Sequence, residues 1–239
     1  MTTASIPARA VLVDIEGTTT DVRFVHETLF SVARRDLAAY VSAHAGSPEV
    51  EAARSAVARE RGAPAEAVSD GELAAALRAW IDEDRKETSL KALQGKIWRS
   101  AYASGGLRSH VYADVAPALR RWRELGATLA VFSSGSVEAQ KLLFQHTTSG
   151  DLTGLFTAFF DTTTGPKREA GAYQRIAEAL GVQPGEVLFL SDVTAELDAA
   201  AAAGMRTVQL LRPGTAREPG SRHAAAERFD EIAVEPGQR

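Results

Sequence analysis

"VLVDIEGTTTDV", residues 11–22, sets the problem for the whole chain. Val11-Leu12-Val13 has the apolar, β-branched character of a strand buried on both faces. The run ends on Asp14 and Glu16, followed by a glycine and three threonines. Charge at the end of a buried strand is costly unless something offsets it. A metal ion is the obvious partner, and the rest of the chain must then supply its other ligand. A spacing of two places Asp14 and Glu16 on one side of an extended segment. That pattern suits Asp14 as nucleophile and metal ligand, with Glu16 as acid/base or second ligand. The plainer alternative is a strand-end turn in which Asp14 caps the amides of Gly17 and Thr18.

Outward from this stretch the chain reads in parts. Residues 24 to about 105 contain no convincing strand but several helical patterns, among them Leu73, Leu77, Trp80, Ile81 and Leu90, Leu93, Ile97, Trp98. "HAGSP" (44–48) and "RGAP" (61–64) break those helices, and "YASGG" (102–106) reads as an exit hinge. From about 112 the pattern alternates. A helix through Pro117, Leu119, Trp122 and Leu125 ends at Gly126, a natural C-terminal glycine. The predicted strands are "TLAVF" (128–132), a short "AFFD" (158–161), "VLFL" (187–190) and "TVQLL" (207–211). Helices are predicted over 137–144 and 172–181, and from "SDVT" to near Gly204. The fold class expected is α/β, a Rossmann-like parallel sheet with an inserted all-helical cap domain. Residues 1–20 and 108–239 form the core and 21–107 the cap. The tail after about 213, rich in Pro, Gly and Arg, is expected to be partly loose.

In such sheets ligands bind beyond the carboxyl ends of the strands. The polar clusters fall there. "SSGS" (133–136) follows a strand and opens a helix, so Ser133 and Ser134 with nearby amides make an anion site, or Ser136 makes a plain cap. Lys167, after "TTGP", is expected at a helix start, where its charge opposes the macrodipole unless an anion lies beside it. "FLSDVTAELDAA" repeats the opening theme, with Asp192 ending a strand and Glu196 four residues on. Asp192 suits a hard divalent ion; Glu196, or Asp198, would support a metal-bound water. Helix capping by Asp192 is the alternative.

The combination resembles the haloacid dehalogenase-like phosphatase superfamily. Its four motifs are an Asp-x-acid strand end, a Ser or Thr strand end, a lysine and a second acidic strand end. Glu16 stands where most members of that superfamily carry Asp. Within it, "DIEGTTT", "IDEDRKETSLKALQGKIW" (81–98), "SSGSVEAQKLLF" (133–144), "GDLTGLF" (150–156), "FDTTTGPK" (160–167) and "RPG" (212–214) are similar to the enolase-phosphatase (acireductone synthase) family of methionine salvage. The similarity runs from about residue 10 to 215. It implies a substrate, 2,3-diketo-5-methylthiopentyl 1-phosphate, that is enolised and then dephosphorylated to the acireductone. It implies one Mg²⁺ per subunit at Asp14, Glu16 (through its backbone carbonyl) and Asp192. Asp14 would then attack phosphorus, Glu16 serve as acid/base, and Lys167 with Ser133 neutralise phosphate charge. The helical insertion is expected to close over the strand ends, with Glu83, Lys86, Lys91 and Gln94 as candidate cap contacts to substrate and Trp80 and Trp98 as cap core.

Composition limits the alternatives. In 239 residues there is no cysteine, so disulfides and thiolate chemistry are excluded. A net charge of −4 argues against broad attraction to nucleic acid or anionic lipid. No apolar run reaches membrane-spanning length. The expectation is a cytoplasmic monomer acting on a small phosphorylated molecule, with neither nucleic acid nor membrane as partner. Three rivals stand beside it: another phosphatase or mutase of the same superfamily, a dehalogenase, and a non-catalytic phospho-ligand binding module.

Overall fold

A computed structural model describes residues 5–85, 87–214 and 221–235, apart from the side chain of His26. The chain divides into two compact units, Met1–Val22 with Ser109–Arg239, and Arg23–Arg108.

The chain opens with β1 (Ile6–Pro7) and β2 (Ala10–Val13). The helical unit then begins with a π-helical segment (Phe24–Leu29) leading into α1 (Phe30–Ala43). It continues through α2 (Pro48–Arg61), α3 (Asp70–Asp82) and α4 (Thr88–Ala103). The breaks anticipated there are local chemistry. Ser47 caps α2 ahead of Pro48, and Gly62 ends it in the left-handed region. Ser69 and Glu72 form a capping box on α3. α1 packs on α3 and α4, and α2 on α4. Trp80 and Trp98 are buried, and the Trp98 indole N–H donates to the Leu29 carbonyl at 2.7 Å.

The second unit continues with α5 (Val115–Glu124), β3 (Thr128–Phe132), α6 (Val137–Gln145), β4 (Ala158–Phe160), α7 (Ala170–Ala179), β5 (Val187–Ser191), α8 (Thr194–Ala202), β6 (Arg206–Leu210), β7 (Ala224–Ala226) and β8 (Val234–Glu235). Gly126 follows α5 at φ +89°, the glycine C-terminus read from the sequence. Six strands form one parallel sheet in the order β4-β3-β2-β5-β6-β7. Alternation assigns the two faces. Val11, Val13, Leu129, Val131, Leu188 and Leu190 pack on one side with Trp122 and Phe144. Ala10, Leu12, Ala130, Phe132 and Phe189 pack on the other with Tyr173.

Strand order reverses at β2, which lies between β3 and β5. Such a reversal opens a crevice at the carboxyl ends of the strands. Leu12 and Val13 pair in register with Phe189 and Leu190, so Asp14 emerges beside Ser191 and Asp192.

Part of the tail carries strands that the sequence reading did not assign, while residues 215–220 and 236–239 lie outside the described residues. Residues 221–235 supply β7, which extends the main sheet, and β8, which pairs with β1. Phe229 is fully buried and stacks on Trp122 at 5.3 Å between ring centroids. Its polar composition hid one aromatic residue with a large apolar surface to cover.

Candidate active site

Residues 14–20 form a turn knotted by their own polar groups. The amides of Thr18, Thr19 and Thr20 converge on the Ile15 carbonyl, while the Gly17 amide donates to the Thr20 carbonyl. All three threonines are buried, and each hydroxyl has a task. Thr19 donates to the Asp14 carbonyl and Thr20 to that of His110. Thr18 accepts from the Asp192 amide at 3.0 Å and reaches the Asp192 carboxylate at 3.4 Å. Gly17 sits at φ +71°, where a Cβ would lie 2.2 Å from Asp192 Oδ2. Only glycine lets the turn pass so close to that carboxylate.

The Asp14 side chain caps none of these amides. It is 4% exposed, and its Oδ1 accepts from Lys167 Nζ at 2.6 Å. The same ammonium lies 2.6 Å from Glu196 Oε2. Ser191, ending β5, donates to Glu196 at 3.2 Å and approaches Asp14 Oδ2 at 3.5 Å. Lys167 does not open a helix, contrary to the sequence reading; α7 begins only at Ala170. It is instead buried in a loop whose carbonyl accepts from the Tyr173 hydroxyl, with Phe132 under its ammonium. Two carboxylates, rather than a helix end, explain its placement.

The charges do not balance locally: Asp14, Asp192 and Glu196 against Lys167 leave 3 − 1 = 2 negative charges if all ionise. Burial, reinforced by Asp14, pushes Asp192 up to about 6 and Glu196 up to about 7. Burial disfavours the Lys167 ammonium, but Asp14 and Glu196 outweigh it and hold its pKa above the ordinary lysine value. Oxygen donors with surplus negative charge are what a hard cation such as Mg²⁺ takes. Among the described residues no three His, Cys, Asp or Glu side chains gather as a ligand set.

Ser133 follows β3 and is buried, its hydroxyl accepting from the Gly135 amide. Ser134 is exposed. Ser136 caps α6, and Asp161 accepts from the Val137 amide. Gln140 ties this loop to β4 through the carbonyls of Gly135 and Phe160. Glu16 is half-buried and bridges Thr20 through its backbone.

A model of the haloacid dehalogenase-like hydrolase family matches residues 8–204. The chain is 89% identical over 230 residues to Enolase-phosphatase E1 of Sorangium cellulosum (strain So ce56), covering 96% of this chain and 99% of that one. With Enolase-phosphatase E1 of Saccharopolyspora erythraea the identity is 51% over 236 residues, 97% and 98% of the two chains. The chain belongs to the enolase-phosphatase family of haloacid dehalogenase-like hydrolases. The crystal structure of UTR4 protein from Saccharomyces cerevisiae superposes at a TM-score of 0.79 with 34% identity, over 93% of this chain and 99% of that one.

For this family member the remaining sequence-predicted residues fall as follows. Asp192 does not cap α8, whose N-cap is Val193 without a side-chain bond. Asp198 is exposed and faces His223 at 3.1 Å, outside the Asp14–Lys167–Glu196 group. Gln94 is buried on α4 of the helical unit and Glu83 is exposed at the end of α3, while Lys86 lies outside the described residues. Sequence reading missed Ser191, Thr18 and Gln209 as supports of the acidic pair. A serine closing the apolar run "VLFL" was the one local signal, since a polar residue fully buried at a strand end needs partners.

Proposed function

We propose that this protein is a Mg²⁺-dependent enolase-phosphatase acting on 2,3-diketo-5-methylthiopentyl 1-phosphate in methionine salvage. One observation carries the reading. The buried Asp14 carboxylate emerges at the sheet's reversal beside Asp192, with Lys167 clamped between it and Glu196. Asp14 is the nucleophile, aimed by the Lys167 ammonium and the Thr19 bond to its own carbonyl. Lys167 and the Ser133 hydroxyl meet the equatorial phosphate oxygens and spread their charge.

Asp14, Asp192 and the Glu16 carbonyl would hold the magnesium ion, which supplies Lewis-acid stabilisation of phosphate charge when bound. Once the substrate is enolised, Asp14 Oδ attacks phosphorus and the P–O bond to the enol breaks. Glu16 gives that oxygen its proton. Glu16 then takes a proton from the water that attacks phosphorus, releasing phosphate and restoring Asp14. Ser191 and Glu196 keep Lys167 charged and in place throughout. The helical unit, inserted directly after the acidic turn, takes the role of a cap that excludes water, and the chain acts as a monomer.

The test supplies the diketone phosphate and follows enol absorbance and phosphate together, with and without Mg²⁺. Metal-dependent appearance of both is expected. Phosphate release from sugar phosphates but not from the diketone phosphate would overturn the substrate assignment.

A further inference from the structure

The stretch "RPG" (212–214) has no role in the chemistry above, yet Arg212 is 3% exposed and heavily engaged. Its NH1 donates to both oxygens of Asp114, at 3.1 and 2.9 Å, and to the Glu227 carbonyl at 3.1 Å. The guanidinium lies over the rings of Tyr112 and Phe229, 4.2 and 5.1 Å from their centroids. Asp114 also accepts from the Phe229 amide at 2.7 Å. Two chain segments, 112–114 and 227–229, thus fix the guanidinium in one orientation. From that fixed position its Nε donates to the Thr18 carbonyl at 2.8 Å.

Thr18 is the residue whose hydroxyl holds both the amide and the carboxylate of Asp192. Its own carbonyl takes no part in the amides gathered on Ile15 but accepts from Arg212. From the other side, Gln209 of β6 donates to the Asp192 carbonyl at 3.3 Å, its own Oε1 accepting from Ser221. Gln209 therefore holds the loop carrying the second acid directly, and Arg212 holds it through Thr18. Nothing in the anatomy of a parallel sheet requires a buried, doubly bonded arginine there, and a simple packing role would not direct its Nε at the acidic turn.

We propose that Arg212 is a positioning residue for Asp192, acting through Thr18 so that the Asp192 carboxylate shares one cation with Asp14. The inference rests on the catalytic reading above and adds a residue to it. A planar fork can grip Asp114 and the Thr18 carbonyl together; a lysine ammonium on a flexible stem cannot hold that angle.

The test measures Mn²⁺ binding to substrate-free protein by the electron paramagnetic resonance of free Mn²⁺, alongside kcat and KM for the diketone phosphate. Arg212→Lys keeps the charge beside Asp114 but loses the fork. Arg212→Gln with Asp114→Asn removes both buried charges together. Thr18→Val cuts only the link to Asp192. Each is expected to weaken Mn²⁺ binding by about tenfold or more, as loss of support behind a metal ligand does. kcat should fall in step while KM changes less than about threefold. Thr18→Val added to Arg212→Lys should cost little more, because both act on one link. Parental Mn²⁺ affinity and kcat in folded Arg212→Lys, even with a lowered Tm, would overturn the proposal. If the arginine variants do not fold, parental Mn²⁺ affinity in Thr18→Val overturns it equally. A parent that binds Mn²⁺ but releases no phosphate from the diketone phosphate refutes the catalytic reading instead.

Discussion

Asp14 illustrates how little a side chain's sequence neighbours say about its state. Its carboxylate is set by Lys167, 153 residues away, and by Ser191, 177 away. Of the two chemical steps only phosphate removal needs a nucleophile. Asp14→Asn keeps the volume and a hydrogen-bonding oxygen for Lys167, so the fold should survive. Phosphate release is expected to fall by about 10³-fold or more, with part of the enolisation retained. Stopped-flow enol absorbance beside a phosphate assay checks this. Loss of both signals to the same extent would defeat the separation of roles. That Asp14 is a candidate was legible from its position after a buried strand. Its partners were not, since a salt bridge across 153 residues leaves no periodic trace.

Elements set how closely those residues approach. The turn from Asp14 to Thr20 works because glycine occupies its tightest point. Gly17→Ala forces a Cβ into a site 2.2 Å from Asp192 Oδ2 and asks alanine to hold φ +71°. The backbone cost is about 1–2 kcal/mol, and Asp192 must move aside. The expected result is a modest fall in Tm and a much larger rise in the Mg²⁺ concentration for half-maximal activity. Equal, small changes in both would show that the turn has slack. At the C-terminal edge, Phe229 fills the space against Trp122 and lies beside Arg212. Phe229→Ala should destabilise the protein by about 3–5 kcal/mol, read from urea unfolding midpoints. A loss under about 1 kcal/mol would mean that residues 221–235 contribute little to the core. Strands β2, β3 and β5 were readable because apolar runs of about four residues carry their own signal. β7, three alanines, carries almost none; it is a strand because β6 offers it an open edge.

For the molecule as a whole the surplus negative charge at the sheet's reversal becomes a dependence of stability on pH. Asp192 and Glu196 have folded-state pKa values raised by burial and Asp14 to about 6 and about 7. An acid with a raised folded value contributes fully below its unfolded value and loses that contribution as pH rises through the folded one. The metal-free protein should therefore lose a few kcal/mol of stability between about pH 4.5 and pH 8 from these two groups. Mg²⁺ favours the ionised carboxylates, so saturating metal should recover most of that loss at pH 8 and little at pH 5. Urea midpoints across pH, in chelator and in Mg²⁺, measure it. A flat profile in chelator would refute the electrostatic account.

The sequence by itself determined the alternation of β2 to β6 with helices, the run of helices after β2 and the polar residues that follow those strands. Those features come from local periodicity, turn chemistry and the cost of charge beside a buried run, all expressed within a few residues. Only the tertiary structure decided that β2 and β5 are neighbours, so that Asp14 and Asp192 stand side by side. It also decided that Lys167 faces two carboxylates instead of a helix end, and that Arg212 reaches Thr18 and Asp114 at once. Such meetings follow from strand order and from close packing of distant segments, and no local pattern encodes which distant group completes a buried charge.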